Sequence, residues 1–316
     1  AALDPQLHAI IELNPEALAI AQALDAERAA GQVRSPLHGI PILLKDNIDT
    51  ADQMHTTAGS LALLDAPTPA RDAFLVQRLR DAGAVILGKT NMSEWANFRS
   101  TEASSGWSAR GGQTRNPYDP ARSPCGSSSG SAVAVAANLA VLAVGTETDG
   151  SILCPAAHNS IVGMKPSLGL IYRVGIIPIA HSQDTAGPMA RSVRDAALLL
   201  NALVAADPED DITTNTHTRN PVDYTLSLEA DALRGKRIGV MRQDFGKDAA
   251  LDALMEQQLT ILRTAGAELV DMGIRPRNSF NAAETEVLLF EFKNDLNNYL
   301  YERGGPVQDL ADLIRF

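Results

Sequence analysis

The stretch Ser123-Pro-Cys-Gly-Ser-Ser-Ser-Gly-Ser131 runs directly into Ala132-Val-Ala-Val-Ala-Ala-Asn-Leu-Ala-Val-Leu-Ala143. Residues 131–143 read as a nearly all-apolar helix, and a helix apolar on every side belongs in a core. Working outward, apolar runs of strand length alternate with helical spacing. Residues 39–44 form a short apolar run ending at Lys45, residues 72–82 a helix stopped by Gly83, and residues 84–87 a β-branched run. Residues 193–206 read as a helix, residues 237–241 and 268–272 as strands around a helix at 251–265 that Gly266 ends, and residues 285–301 as a further helix. This alternation predicts an α/β layer fold with a largely parallel sheet. Residues 9–30 read as one helix already under way, and residues 309–316 stop inside an apolar pattern, so the chain is expected to be incomplete at both ends.

Two stretches break the rhythm. Residues 99–124, rich in Gly, Ser, Asn, Pro and Arg, read as a long loop, and loops of that length are often functional. Residues 207–223 are acidic and proline-bearing and read as a surface excursion.

The 316 residues, 45% of them hydrophobic, suffice for a sizeable core. A formal net charge of -11 disfavours nucleic acid and anionic membrane as main partners. No apolar run approaches the roughly 20 residues that cross a bilayer, and residues 1–15 lack the basic and apolar regions of a signal peptide. A soluble protein of the cytoplasm or periplasm is expected. Two cysteines, Cys125 and Cys154, do not make a disulfide framework, and with scattered histidines they make a poor zinc set. No metal or cofactor is expected.

The Ser-rich segment admits several readings. A flexible Gly/Ser linker is the bland one, but this segment abuts a buried helix, where small hydroxyl residues suggest backbone N–H groups meeting a ligand or intermediate. A phosphate loop would need a lysine and a hydroxyl residue after the glycines, and neither follows Gly130. Gly126-Ser-Ser-Ser-Gly130 matches a nucleophile elbow centred on Ser128, yet residues 116–124 cannot supply the strand that an elbow needs. The last reading joins the segment to two others. Gly145-Thr-Glu-Thr-Asp-Gly-Ser151 is a turn of small residues after an apolar run, with Ser151 lying 24 residues after Ser127. Ser151 reads as an N-cap or as a nucleophile, and the turn would gather N–H groups as an oxyanion hole requires. In His38-Gly-Ile-Pro-Ile-Leu-Leu-Lys-Asp-Asn-Ile-Asp49, a buried Lys45 could act as a base. That needs its pKa lowered from about 10.4 to about 7, roughly 4–5 kcal/mol. Lys89 and Lys165 also follow apolar runs, so residue chemistry alone leaves the choice of lysine open.

In this order, these segments resemble the amidase-signature family, and within it bacterial peptide amidases. The likeness rests on residues 37–48, on residues 83–97 with Gly88-Lys-Thr-Asn91, on the Ser-rich loop, on residues 145–166, and on residues 182–197 with Asp184, Gly187-Pro188 and Arg191-Ser-Val193. Ser105-Gly-Trp-Ser-Ala-Arg-Gly-Gly-Gln-Thr-Arg-Asn-Pro117 and Thr146-Glu-Thr-Asp-Gly-Ser-Ile152 carry the peptide-amidase likeness. It implies a single large domain over residues 1–316 with a mixed, mostly parallel central sheet covered by helices.

The resemblance also implies roles. Ser151 would be the nucleophile that forms an acyl-enzyme, Ser127 a bridging serine on a cis peptide bond, and Lys45 the base acting through Ser127. N–H groups of Thr148, Asp149, Gly150 and Ser151 would form the oxyanion hole, with Ser128, Ser129 and Asp184 in support. The expected reaction is hydrolysis of a linear primary amide, a C-terminal peptide amide above all, to acid and ammonia. Asp149 stands where many members have glycine, and Leu153 and Cys154 where many carry an arginine. An arginine there would suit an anionic substrate, so its absence favours a neutral one. Two other readings stand beside this one, the amidase subunit of a tRNA-dependent amidotransferase and an inactive binding or assembly module.

Overall fold

The computed structural model describes residues 3–206, 209–214, 222–273 and 280–316, and these form two compact units. The larger unit holds residues 3–223 and 287–316 of the described chain and is built on a six-stranded sheet. Its strands are β1 (Ile10–Leu13), β2 (Pro41–Lys45), β3 (Val85–Thr90), β4 (Leu142–Glu147), β5 (Val162–Gly163) and β6 (Thr185–Ala190), in the order β1-β3-β2-β4-β6-β5. The sheet is mixed as expected. Its parallel part is the centre, β3-β2-β4, while β1, β6 and β5 are antiparallel to their neighbours. The smaller unit, residues 224–286, carries the parallel pair β7 (Arg237–Val240) and β8 (Glu268–Asp271) with the intervening helix Ala249–Thr264, much as its spacing predicts.

Ile42, Leu43 and Leu44 of β2 are completely buried, which is the near-continuous apolar run expected of a parallel strand covered on both faces. The pleat sends Leu43 and Lys45 to one face and Leu44 to the other. On the Leu43 face lies helix α1 (Ser129–Ala136), whose Val133, Ala134 and Val135 share a cluster with Leu43 and Ala143. The Ala/Val-rich helix is therefore buried as its sequence dictates, but it is shorter than residues 131–143. Asn138 adopts φ 58°, the left-handed conformation that closes helices, and Leu139 N–H turns back 2.8 Å to the carbonyl of Ala134. The remaining apolar residues then supply β4.

Residues 9–30 are also not one helix. Ile10–Leu13 pairs with β3 as an edge strand, and the helix is Ala17–Ala29. Asn14 and Pro15 divide them: the Asn14 side chain accepts from Glu16 N–H, and the residue before a proline avoids helical geometry. The last helix, Leu310–Arg315, is capped at its start, where Asp309 accepts from Asp312 N–H. Residues 99–124 are a loop apart from a two-residue pairing of Trp107–Ser108 with Gly112–Gln113. Of the 207–223 excursion, 207–208 and 215–221 lie outside the described residues, while Asp210 is buried and ion-paired to Arg173. Among the described residues no helix is long and apolar enough to cross a membrane.

Candidate active site

The carboxyl ends of neighbouring parallel strands are where open α/β sheets gather ligands. Here β2 ends at Lys45 and β4 at Glu147, with α1 starting just above them. Lys45 is fully buried, and its Nζ lies 2.7 Å from Ser127 Oγ, 2.8 Å from Thr146 Oγ1 and 3.2 Å from the Thr146 carbonyl. All three partners are uncharged. Burial brings the Lys45 pKa down to about 7, opposed by the more distant carboxylates of Asp184 and Glu147.

Ser127 follows a cis Gly126–Ser127 peptide bond, and its carbonyl accepts from Ser93 N–H at 3.1 Å. Ser128 is not a free hydroxyl: its Oγ donates to the Thr146 carbonyl and accepts from Thr146 N–H, and its own N–H reaches the Ser151 carbonyl at 3.1 Å. It stitches the Ser-rich loop to the end of β4 and to the Ser151 turn. With no strand in front of it and its hydroxyl so engaged, the elbow reading of Ser128 loses its geometry. Ser129 Oγ donates to the Cys125 carbonyl at 2.6 Å and braces the same loop.

Ser151 is nearly buried and lines a narrow cavity with Ser127, Thr146, Thr148, Asp184 and Asn47. The turn carrying it hangs on Glu147. That carboxylate accepts from Gly150 N–H at 2.9 Å, Ile152 N–H at 2.7 Å and Leu153 N–H at 2.9 Å. One acid thus caps the helix Leu153–His158 and sets the turn before it. It also takes the Gly150 N–H out of the expected oxyanion hole. The N–H groups of Thr148, Asp149 and Ser151 have no acceptor among the described residues. Gly150 sits at φ +80° with open space around it, so the turn requires glycine there for its backbone conformation.

Asp184 accepts from the Thr148 hydroxyl and from the N–H groups of Ile179 and Ala180 at 2.9 and 3.0 Å. Burial raises its pKa to about 6, against the lowering effect of those hydrogen bonds. Asp149 is exposed.

Besides Glu147, three contributors escape the sequence reading. Thr146 and Asn47 carry no motif of their own, although Asn47 lies two residues beyond Lys45. The third is a disulfide between Cys125 and Cys154, with Cα atoms 5.8 Å apart, joining the loop before Ser127 to the helix after Ser151. Two cysteines argue against a framework but not against a single bridge.

The competing lysines are told apart by register. Lys89 pairs with Leu44 and Thr90 with Lys45, so Lys89 points to the opposite face of the sheet. There its Nζ donates to the Ile48 carbonyl at 2.5 Å and to Thr56 Oγ1 at 2.7 Å, near Asp46 and Asp49. Lys165 is only half-buried.

Residues 1–315 match the family model described as Amidase. The chain is 46% identical to a probable amidase of Arabidopsis thaliana, over 99% of this chain and 62% of that protein. A native peptide amidase from Stenotrophomonas maltophilia superposes with a TM-score of 0.95 at 57% identity, covering 100% of this chain and 65% of its own. A peptide amidase in complex with the competitive inhibitor chymostatin gives 0.96 at 56%, with 100% and 65% covered. The chain therefore spans somewhat less than two thirds of the length of these relatives. With the family model matched over nearly the whole chain, the chain belongs to the amidase family.

Proposed function

We propose that the protein hydrolyses linear primary amides, C-terminal peptide amides in particular, through an acyl-enzyme on Ser151. The observation that carries this reading is the 2.7 Å bond from Lys45 Nζ to Ser127 Oγ, in a pocket where lysine is held near neutrality. A serine hydroxyl is a weak nucleophile until a base takes its proton. Neutral Lys45 accepts the proton of Ser127 as Ser127 accepts that of Ser151. Ser151 Oγ then bonds to the amide carbon, and N–H groups of Thr148, Asp149 and Ser151 hold the oxygen that becomes negative. The C–N bond breaks as the proton returns through Ser127 to the nitrogen, which leaves as ammonia. Water attacks the ester, gives its proton to the same relay, and the acid leaves as Ser151 regains its hydrogen.

The uncharged Leu153 and Cys154 after the nucleophile favour a neutral acyl portion, and relatives that are peptide amidases agree with that class. Release of ammonia from a C-terminal peptide amide by the full-length protein alone, lost in Ser151→Ala, is the expected outcome. Ammonia release that requires a partner subunit and a charged tRNA would replace this reading by the amidotransferase one. Failure of Ser151 to react with a sulfonyl fluoride probe would support an inactive module.

A further inference from the structure

Asn47 sits two residues past Lys45, is 3% exposed, and lines the same cavity as Ser127 and Ser151. Its backbone carbonyl is fixed by Ile177 N–H at 2.8 Å, and its Nδ2 donates to Thr146 Oγ1 at 3.0 Å. Its Oδ1 is buried and has no hydrogen-bond partner among the described residues. A carboxamide oxygen offers two lone pairs, and leaving both unpaired away from water is unfavourable. Such a group, held rigid inside a catalytic cavity, is matched to a donor brought by the substrate.

Which donor follows from the bond network. Thr146 Oγ1 is shared between Asn47 Nδ2 and Lys45 Nζ, and Lys45 in turn holds Ser127. Asn47 therefore lies on the side of the cavity from which the proton is returned to the departing nitrogen. The carbonyl oxygen of an amide is an acceptor and belongs with the N–H groups of the Ser151 turn, so the donors left over are the hydrogens on nitrogen. The cavity holds about 10 Å³, room for a group the size of water or ammonia.

Building on the proposed amidase reaction, we infer that Asn47 Oδ1 accepts a hydrogen bond from the NH2 of a primary amide and selects that leaving group. With one N–H held by Asn47, the nitrogen lone pair is turned toward Ser127, which supplies the proton. An ester has no N–H to offer, and its leaving oxygen would set lone pairs against Oδ1. Asn47 is thus a specificity-determining residue, and sites built to accept a substrate N–H discriminate against analogues lacking it.

The test compares a peptide amide with the methyl ester of the same acyl portion, using the full-length protein with Asn47→Leu and Asn47→Asp. The kcat/KM ratio of amide to ester is expected to fall about tenfold or more in Asn47→Leu, from loss of one hydrogen bond. Asn47→Asp keeps an acceptor oxygen and is expected to hold the ratio near the wild-type value. Its added negative charge near Lys45 should move the acid limb of the pH profile upward in both substrates. Asn47→Ser, which withdraws the acceptor, carries the same arm as Asn47→Leu if the leucine does not fold. An equal fall on amide and ester in the acceptor-less variant would show that Asn47 only braces Thr146, and would overturn the inference while leaving the reaction intact. A wild-type protein that cleaves neither substrate would remove the amidase reading, and the inference with it.

Discussion

Lys45 and Lys89 stand on adjacent parallel strands, one residue out of register, and both are completely buried. Burial pushes the pKa of each amine down. Their surroundings then diverge. Lys45 meets two hydroxyls and a carbonyl on the face covered by Ser129–Ala136. Lys89, on the other face, faces Asp46, Asp49 and Asp52, whose charges oppose the lowering. Asp46 in turn is held by the Thr57 hydroxyl, Gly59 N–H and Arg110, and Asp49 by the Tyr299 hydroxyl. The difference teaches that desolvation alone does not make a base. Each amine donates to a carbonyl and a hydroxyl and feels carboxylate charges, but of the two it is Lys45 that has a serine at hydrogen-bond distance in a cavity, a group with which it can exchange a proton.

Replacing each lysine by methionine separates the two roles. Lys45→Met should lower peptide-amide kcat by about 10⁴-fold or more, as loss of a member of a catalytic group does. Its stability should change little, because an apolar chain of similar volume replaces a poorly solvated amine among neutral partners. Urea denaturation beside steady-state kinetics reads both quantities, and retained turnover would break the comparison.

Lys89→Met should do the reverse. It leaves the Ile48 carbonyl and the Thr56 hydroxyl without their donor and removes a buried positive charge near Asp46 and Asp49, which keep Arg110 and Arg303, at a cost of about 1–3 kcal/mol for each partner so stranded. Folded protein should still label at Ser151 with a sulfonyl fluoride. Intact stability with lost labelling would transfer the catalytic role to Lys89.

The disulfide sharpens the picture on the Lys45 face. Cys125 and Cys154 are 29 residues apart, so opening the bridge in Cys125→Ser/Cys154→Ser should cost about 3.5 kcal/mol. A drop in Tm seen with the variant, and matched by adding reductant to the wild type, would establish it. Unchanged Tm in both would show that the serine loop and the Ser151 turn are held by their hydrogen bonds alone.

The smallest effect is on pH. In the proposed role Lys45 accepts a proton only when neutral, so with a folded pKa of about 7 the activity should fall tenfold per pH unit below it and level off above. The same shift bears on stability. Between about 7 and 10.5 the unfolded chain holds a proton that native Lys45 has released, so this group's contribution to stability rises with pH across that window. An activity limb centred near 10 would mean that the pocket does not desolvate the amine.

Much of the site was legible in the chain. The nearly all-apolar run after the serines had to be buried, although it divides into the helix Ser129–Ala136 and the start of β4, and the Ser127 and Ser151 segments stood out because small hydroxyl and glycine residues beside core elements have few structural uses. The turn residue Gly150 was legible as a glycine, but its N–H was assigned to an oxyanion hole that Glu147 draws it away from. Edge strand Ile10–Leu13 was hidden because three half-buried residues and an exposed Leu13 before a helix look like its first turn. Thr146, Glu147 and Asn47 were passed over because each matters through partners distant in sequence.

By itself the sequence determined local matters: which runs are apolar, where glycine, proline and asparagine punctuate them, and which short segments carry hydroxyls and a lysine in the order of a known family. These are settled by side-chain chemistry within a few residues. The tertiary structure decided which lysine lies beside Ser127. Pairing of β2 with β3 places Lys45 and Lys89 on opposite faces of one sheet, and strand register is a property of two segments packed together, which neither segment carries alone.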